Sequence, residues 1–599
     1  MNESSNSAEI SKARICKFGR CYLDKIERKV YKGGTLLDIS SKAFDVLQLL
    51  IERAGEVLTK DEILEQVWAD SFVEEGNLAV HISKLRKLLG ATKTEPYIAT
   101  VSGSGYRFVS RVFPIDEDVW QFHLINNPGI NSNFSEDGPE YDSIAVLPLN
   151  NETGDEEIDY LADGLTESII NNLSYVSDLR VLARNTVFRF KDKEIDVQEV
   201  GKRLGVSTVL TGRIRVVRDN LIIGVELTKT ADGGQLWGTS LNEPFEDVFE
   251  IQEKITRSIL DNLKTQLDLA VKKANASKVT ENTESYRLYL KGKYLVNKKS
   301  LKDIEKAIEC FQQSISKDPV NAHSYVELAN CFRLLYSYDQ LSLQDAVNKL
   351  TPLLKKATKL NGLMPELFVF KGIIKMYLEF NFKESEKYLV KALMINPNSL
   401  IARYRYSQML VYCCRFSEAL IQMKECARLD PVSLISNKRI ARMFYFIGQF
   451  RNSVIKLEEC LELESEDFET HLLLGINFVE LEKYNDAFNA FEKSLKLQYH
   501  FETLSMIGYA NAKAGRKKEA QNILKELEEK SKRYYIAPQY FGIIHSGLGE
   551  IEQAFKYLNK TLIECNSDII SLKCDPRWAP IRSDPRYQSM LLKIGLPIK

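Results

Sequence analysis

Residues 73–90 read Val73-Glu-Glu-Gly-Asn-Leu-Ala-Val-His-Ile-Ser-Lys-Leu-Arg-Lys-Leu-Leu-Gly90, and their spacing predicts one helix over about Glu75 to Leu89. At 100° per residue, the apolar side chains fall on a single stripe: Leu78, Ile82, Leu85 and Leu89. The opposite face carries Val80, Ser83, Lys84 and Lys87, with Asn77 near its edge. The pattern therefore indicates a helix that buries one face and presents a basic face to solvent.

Two further helices and a hairpin flank this helix in the sequence. Apolar residues at helical spacing over 44–51 predict a first helix, and Thr59-Lys-Asp-Glu62 is a capping box that opens a second. Thr100-Val-Ser-Gly-Ser-Gly-Tyr-Arg-Phe108 places two β-prone runs around a glycine-rich turn, which is typical of a hairpin. With short alternating runs over 15–39, these elements suggest a winged helix.

Charge in this part of the chain favours a nucleic acid partner. The whole chain has a net charge of −1, but between 77 and 111 six basic residues face the single acid Glu95. Such a basic patch is the footprint that a phosphate backbone requires, although a solvated helix face is the alternative. Ser83 and Lys84 are the candidate base-edge readers, because lysine can donate to guanine O6 and N7.

The same residues carry a family resemblance. Val67-Trp68, residues 73–90 and residues 100–108 resemble the OmpR/ToxR/CadC-type winged-helix DNA-binding domain of bacterial transcription regulators. The resemblance implies that the third helix lies in the major groove of double-stranded DNA. Contacts implied by position are His81, Ser83, Lys84 and Lys87 from the helix and Arg107 from the wing. Ser102 departs from the family, which often has arginine there.

The resemblance also implies secondary contacts. The loop of residues 70–75 is where the family contacts RNA polymerase or a neighbouring protomer, and a homodimer on DNA is expected. His81 is read either as a phosphate donor or as a flanking polar residue. Arg86 lies nearer the buried stripe, where it would extend along the surface or pair with an acid of the first helix. Tyr106 is expected to pack beneath the wing.

Residues 141–270 predict a second domain of the α/β class. Residues 114–140 lack periodicity and are a linker candidate, whereas short apolar runs alternate with amphipathic ones from Ser143. Ser143–Leu149 and Tyr160–Glu167 are among the segments that resemble a TolB amino-terminal-like domain. Asp163 and Glu167 are expected to be first-turn acids at a helix N-terminus; a catalytic or metal-binding pair is the alternative.

Residues 284–599 predict an α-solenoid. Ile395, Leu429, Leu463 and Leu497 are spaced by 34 residues, and small residues repeat with the same period: Ser385, Ala419, Ser453, Ala487, Ala520 and Ala554. A period of this length with small residues at one phase indicates stacked helix pairs whose backbones approach closely. These residues resemble tetratricopeptide repeats, which implies a concave face that binds an unidentified protein or peptide.

Candidates for a binding site on the array are weaker than its fold. Five aromatic residues could line the groove, although aromatic stripes at helical spacing are usually core: Tyr404, Tyr406, Tyr412, Phe444 and Phe478. Lys438, Arg439 and Arg442 are candidates for an acidic partner. The segment from Ala554 to Leu592 resembles the terminal cap of such arrays.

The sequence gives no motif for catalysis, a cofactor or a metal. Walker-type phosphate loops, His-Glu-x-x-His and Gly-x-Ser-x-Gly are absent, and the ten cysteines include no Cys-x-x-Cys pair. No stretch reaches the roughly 18 apolar residues of a membrane helix, and no secretory signal or receiver domain is expected before the first strand. A cytoplasmic location without membrane contact is therefore predicted.

Two functions fit these observations. The first is a cytosolic one-component transcription regulator, with residues 1–113 on promoter DNA and the middle domain and array sensing a partner or ligand and setting assembly. The alternative is a non-enzymatic tetratricopeptide scaffold whose winged helix binds protein. The basic patch and the intact wing favour the first. The predicted architecture is multidomain and mainly α, with an α+β winged helix, a central α/β domain and a C-terminal α-solenoid.

Overall fold

The computed structural model describes residues 10–596, apart from 20, 33–34, 70–74, 91–95, 111, 116–141, 177–178, 194–195, 218–219, 245–247, 263–279, 281, 299, 339, 342 and 565–566. Helices predominate, and the winged helix, α/β domain and solenoid follow one another as expected. Among these residues, no helix combines the length and apolar character of a membrane span.

The amino-terminal domain places three helices between two sheets. Its elements are β1 (Ile15–Phe18), β2 (Cys21–Asp24), β3 (Lys29–Lys32), β4 (Thr35–Leu36), α1 (Ser41–Glu52), β5 (Val57–Thr59), α2 (Lys60–Val67), α3 (Glu75–Leu89), β6 (Ile98–Val101), β7 (Gly105–Phe108) and β8 (Val112–Ile115). One sheet has the order β4-β3-β2-β1-β8 and the other the order β5-β7-β6. Because β8 pairs with β1 as far as Ile115, the domain's last strand extends two residues past 113.

Local sequence explains these elements. The Thr59 hydroxyl accepts from the Glu62 amide at 3.2 Å, and the Glu62 carboxylate accepts from the Thr59 amide at 2.7 Å, so the capping box starts α2. Gly105 begins β7 with φ +154°, and a Cβ there would lie 1.9 Å from the Leu58 carbonyl oxygen. Only glycine allows β7 to pass so close to β5.

The middle domain is an α/β unit around one mixed sheet. Its elements are β9 (Ser143–Val146), β10 (Asn150–Asn151), α4 (Glu156–Ser174), β11 (Arg180–Val181), α5 (Arg184–Val187), α6 (Val197–Leu204), β12 (Thr208–Val217), β13 (Asn220–Lys229), β14 (Gln235–Pro244) and α7 (Val248–Asn262). The strand order is β11-β9-β12-β13-β14, with β10 paired to β12. Strands β9, β11 and β12 are parallel, and β12 to β14 form an antiparallel meander.

The carboxy-terminal region is a stack of helix pairs. It comprises α8 (Thr283–Lys298), α9 (Leu301–Lys317), α10 (Ala322–Ser337), α11 (Leu343–Leu360), α12 (Pro365–Tyr377), α13 (Phe382–Ile395), α14 (Leu400–Tyr412), α15 (Phe416–Leu429), α16 (Leu434–Phe446), α17 (Phe450–Leu463), α18 (Phe468–Glu480), α19 (Tyr484–Leu497), α20 (Phe501–Lys513), α21 (Lys517–Ser531), α22 (Pro538–Leu548), α23 (Ile551–Ile563) and α24 (Pro585–Lys593). Two 3₁₀ turns, Ser567–Ser571 and Pro576–Ile581, precede α24, and we call residues 567–596 the cap.

The small residues of the repeat lie where the two helices of a pair meet. Ser385, Ala419, Ser453 and Ala487 are fully buried, and the Ser385 and Ser453 hydroxyls donate to the Gly372 and Ala441 carbonyls, both at 2.8 Å. The predicted close approach of paired helices is therefore confirmed.

The middle domain shares its core with the first helices of the array. One buried apolar cluster runs from the sheet of the middle domain into α8, α9 and α10, where it includes Leu290, Phe311 and Cys331. Asn398 Nδ2 donates to the Ser174, Val176 and Leu179 carbonyls at 3.0 to 3.1 Å. The Thr186 hydroxyl donates to Asp430 at 2.7 Å. The turns that begin with Asn396-Pro397 and Asp430-Pro431, at the ends of α13 and α15, thus also bind the middle domain.

The expectation that Asp163 and Glu167 are first-turn acids is wrong. Helix α4 begins at Glu156, so both residues lie beyond its first turn. Asp163 pairs with Lys191 at 2.7 Å, and Glu167 pairs with Lys293 of α8 at 2.7 Å and with Arg184 at 3.2 Å. Burial alone raises the pKa of Glu167, but Lys293 and Arg184 outweigh it and lower the value. Glu167 is therefore an ion-paired link between the middle domain and the array.

The winged helix contacts the array through its five-stranded sheet. Ile15, Tyr22, Tyr31 and Ile115 lie on one face of that sheet. They form a buried cluster with array residues on α12, α13 and α14: Phe368, Val369, Ala392, Met394, Ile395 and Ala402. We call this contact the sheet–array patch. It leaves α3 and the β6–β7 hairpin on parts of the domain that the array does not use.

Candidate DNA-binding surface

Helix α3 presents a polar, basic face that no other described part of the chain covers. Its apolar stripe of Leu78, Ile82, Leu85 and Leu89 is no more than 1% exposed, which fixes the helix on the domain core. The residues predicted for the opposite face are all exposed: Asn77, Val80, Ser83, Lys84 and Lys87. Val80 is 52% exposed, so an apolar side chain stands among the polar ones, where it could contact a thymine methyl group.

His81 lies apart from this exposed set. Its ring packs against Trp68 with centroids 5.5 Å apart, and its Nδ1 is buried without a hydrogen-bond partner among the described residues. Burial, and then the nearby Lys84 ammonium, lower the pKa of His81. The imidazole is therefore neutral at neutral pH, which favours a packing role over an ionic contact with phosphate.

Arg86 connects α3 to the hairpin. Its guanidinium donates to the Ile98 carbonyl at 2.9 and 3.1 Å and to the Thr100 hydroxyl at 2.8 Å. The expected partner, an acid of the first helix, is thus replaced by the first strand of the wing. These hydrogen bonds fix the position of the wing relative to α3. In the sequence, the only sign of this role is that Arg86 lies at the edge of the apolar stripe.

The wing carries one exposed cation on a paired strand. Arg107 pairs in register with Val57 of β5 and Ala99 of β6, and its side chain is exposed. Ser102 lies exposed in the turn between β6 and β7. Tyr106 is 7% exposed, as expected of a ring beneath the wing.

Some predicted contacts fall outside the described residues. Residues 70–74, which make up most of the 70–75 loop, are not described. The same holds for Lys93, Glu95 and Arg111 of the basic stretch 77–111.

The array residues singled out earlier are mostly used within the chain. Lys438 pairs with Glu469 at 2.6 Å and with Asp467 at 3.1 Å, and the Arg439 guanidinium lies 4.1 Å from the centre of the Tyr404 ring. Tyr406 donates to Glu386 at 3.1 Å. Phe444 and Phe478 pack on the core, whereas Tyr412 lines a cavity inside the array. Across the described ranges, no group of three or more His, Cys, Asp or Glu could hold a metal ion.

Comparison with known proteins assigns the domain that carries the α3 face. Residues 34–108 match the family model described as "Transcriptional regulatory protein, C terminal". The chain is 33% identical over 191 residues to "Putative adenylate cyclase 3" of Rhizobium meliloti, covering 32% of each protein. It is 23% identical over 401 residues to "Transcriptional regulator HilA" of Salmonella typhimurium, covering 66% of each. The chain thus spans about a third of the first relative and just under two thirds of the second.

A solved structure resembles the same domain. The Klebsiella pneumoniae RstA DNA-binding domain, in complex with the RstA box, is 33% identical with a TM-score of 0.15, covering 16% of this chain and 97% of that one. Residues 34–108 hold the whole of α3 and the wing within the matched family. The chain therefore carries an OmpR/PhoB-type winged-helix DNA-binding domain of the transcriptional regulatory protein family, followed by a helical repeat array of the tetratricopeptide type.

Proposed function

We propose that this protein is a one-component transcription regulator that binds promoter DNA through α3 and the wing and responds through its middle domain and array. The observation that supports this most directly is that Ser83, Lys84 and Lys87 are exposed while the five-stranded sheet of the same domain lies against the array. The surface is thus free for DNA without a rearrangement that uncovers it. The similarity to HilA over 401 residues supports the same function.

The chemistry divides between specificity and affinity. Ser83 and Lys84 lie on the outward face of α3, where they would donate to base edges in the major groove. Lys87 and Arg107 would neutralise phosphates and release counterions, which gives affinity without sequence information. His81 would support the helix from behind through Trp68.

Assembly follows from the small size of one reading surface. A single winged helix contacts few base pairs, so we propose that two copies bind paired half-sites. RNA polymerase is the proposed partner of the 70–75 loop. Light scattering after size exclusion, with and without a cognate duplex, tests this proposed dimer. A monomer in both conditions would exclude it.

The experiment for DNA recognition is a random-duplex selection with the full chain, followed by fluorescence anisotropy on the enriched duplex at several salt concentrations. Lys84→Ala should weaken specific binding about tenfold and Lys87→Ala should lower the salt slope by about one ion. Lys12→Ala is the matched control, since Lys12 is an exposed lysine of the same domain outside α3 and the wing.

The alternative scaffold function gives the opposite result. If selection enriches no sequence and the three lysine variants bind DNA equally, the winged helix does not read DNA. The similarity to a protein named as a cyclase covers 32% of this chain and does not by itself support an enzymatic function here.

A further inference from the structure

The inside of the array encloses a cavity of about 340 Å³, which we call the chamber. Its wall is built from the first helices of successive pairs, α12, α14, α16, α18, α20 and α22, with α10 and α11 at one end; α20 contributes the acid Glu502. The cap forms the other end through Asp575, Arg577 and Trp578. A volume of this size suits a metabolite-sized ligand.

The cap packs against the concave side of the array and lines part of the chamber. Ile570, Leu572, Trp578 and Ile581 are buried in the same apolar cluster as Met376 of α12. Near its last residue the cap contacts the loop between α12 and α13. The approach is so close that a Cβ on Gly595 would lie 2.1 Å from the Phe380 carbonyl oxygen. A helical peptide is about 10 Å across, so a cavity of about 340 Å³ fits a small molecule better than a folded peptide.

Two of the arginines that line the chamber have no ion-pair partner among the described residues. Among its arginines, Arg577 pairs with Asp575 at 2.6 Å and Arg442 with Glu469 at 3.4 Å. Arg333 donates instead to the Asn330 amide oxygen at 2.8 and 3.1 Å, and Arg405 to that of Gln408 at 2.9 Å. Neither of these two forms an ion pair within the described part of the chain.

Around Arg333 the positive groups outweigh the nearby Glu327 carboxylate, which on its own raises the pKa of Arg333. Burial, and then the guanidinium groups of Arg405 and Arg439, lower the pKa of Arg333 to about 10. Arg405 Nε and the Tyr445 hydroxyl are buried and lack hydrogen-bond partners among the residues described. Buried donors normally find an acceptor, so two unpaired donors in one wall indicate a missing one.

We propose that the chamber binds a small organic anion, with its charged head between Arg333 and Arg405 and an apolar or aromatic body against Phe370, Tyr412 and Trp578. Guanidinium groups bind planar carboxylates in a bidentate manner, and the aromatic wall accepts the body by stacking. This proposal names the ligand class for the sensing role in the proposed function and rests on that function only for its effect on DNA.

The effect on DNA would pass through two shared helices. Helix α12 turns Phe370 and Tyr377 to the chamber and Phe368 and Val369 to the sheet–array patch. Helix α14 likewise carries Arg405 on the chamber side and Ala402 on the patch side. A ligand that moves either helix therefore also moves residues of the sheet–array patch, which the winged helix contacts.

The test uses the full chain and 8-anilinonaphthalene-1-sulfonate, an anionic aromatic probe that fluoresces in apolar sites. We expect one saturable site per chain, weakened at least tenfold by Arg405→Gln and by Arg333→Gln. Arg451→Gln is the matched control, since Arg451 is an exposed array arginine that does not line the chamber, and it should change binding less than twofold. N-phenyl-1-naphthylamine, which keeps the rings without the charge, should be indifferent to all three variants.

Three outcomes would overturn the proposal: no saturable site, equal binding by wild type and both chamber variants, or equal loss of the neutral probe. Circular dichroism and melting curves of each variant separate loss of the site from loss of the fold. DNA binding by the same preparations without probe is measured in parallel. Normal DNA binding with no probe site removes the chamber alone, and a probe site without DNA binding removes the regulator alone.

Discussion

The middle domain and the winged helix both rest on the array, but by different means. The middle domain shares one core with α8 to α10 and adds ion pairs and hydrogen bonds, such as Glu167 with Lys293 and Asn398 with three carbonyls. The winged helix contributes an apolar sheet face to a smaller cluster. The difference teaches that the middle domain and array behave as one cooperative unit, whereas the winged helix is a separable unit docked on it.

The strongest way to break this comparison is to remove Glu167. Glu167→Ala removes the carboxylate that forms the buried ion pair with Lys293, and we expect a loss of about 3 kcal/mol of unfolding free energy. Calorimetry should show the transition of the combined unit shifted down while that of the winged helix stays in place. Glu284→Ala, which removes the exposed pair with Lys317, is the control and should change little. Equal effects of the two substitutions would contradict a fused junction.

The docked contact is tested from the array side. Val369→Arg puts a charge into the sheet–array patch, where Val369 is 4% exposed, and should cost the docked state about 2 kcal/mol. Small-angle scattering should report a larger radius of gyration with the melting of the array nearly unchanged. Ile401→Arg introduces the same charge at a position 39% exposed and should leave the radius unaltered. A compact Val369→Arg variant would mean that the patch does not hold the domain.

A pH titration sharpens the comparison further. Burial, and then the Arg403 guanidinium, lower the pKa of Lys17 on β1 to about 8. A free lysine keeps its proton to about pH 10.4, so docking releases a proton between these values and must strengthen as the pH rises from 8 to 10. The docking equilibrium constant should rise by up to about tenfold per pH unit. Lys17→Met should remove this slope, and a slope of the opposite sign would exclude Lys17 from the contact.

The smallest expected effect comes from removing one helix N-cap hydroxyl in each unit. Thr59→Ala removes the hydroxyl that accepts from the Glu62 amide and should cost the winged helix about 1 kcal/mol. Its melting transition should fall by roughly 4–8 °C, as for a domain of this size. Ser300→Ala at the N-cap of α9, whose hydroxyl accepts from the Asp303 amide at 3.1 Å, is the matched change in the array. If either substitution moves both transitions, the two units are not independent.

Short-range patterns predicted the elements well. The stripe from Leu78 to Leu89 predicted α3, and Thr59 with Glu62 predicted the start of α2, because both depend on neighbours within one or two turns. The 34-residue period likewise predicted the helix pairs, since each unit packs mainly on the next. The exposed residues of α3 follow from the same helical geometry.

Features that depend on distant partners were not predictable in this way. Strand β14 is an exception with a local cause: Gly238, Asn242 and Pro244 interrupt its strand-forming residues, and the preceding strand β13 supplies its pairing. Glu167 looked like a helix-terminal acid because Lys293 is far away in the sequence. The chamber exists only once the superhelix curves and the cap returns to it, which brings Arg333 and Trp578 to opposite ends of one cavity.

The return of the cap to Phe380 has a consequence for how this protein can change in length. Solenoids commonly gain or lose whole repeats, since each unit touches only its neighbours. Here the middle domain forms hydrogen bonds with the turns at 396–398 and 430–432, and Gly595 of the cap packs against the loop after α12. Inserting or deleting one helix pair between these points would misplace the closing segment by a full step. The number of repeats is therefore fixed by geometry, as it is in a closed ring.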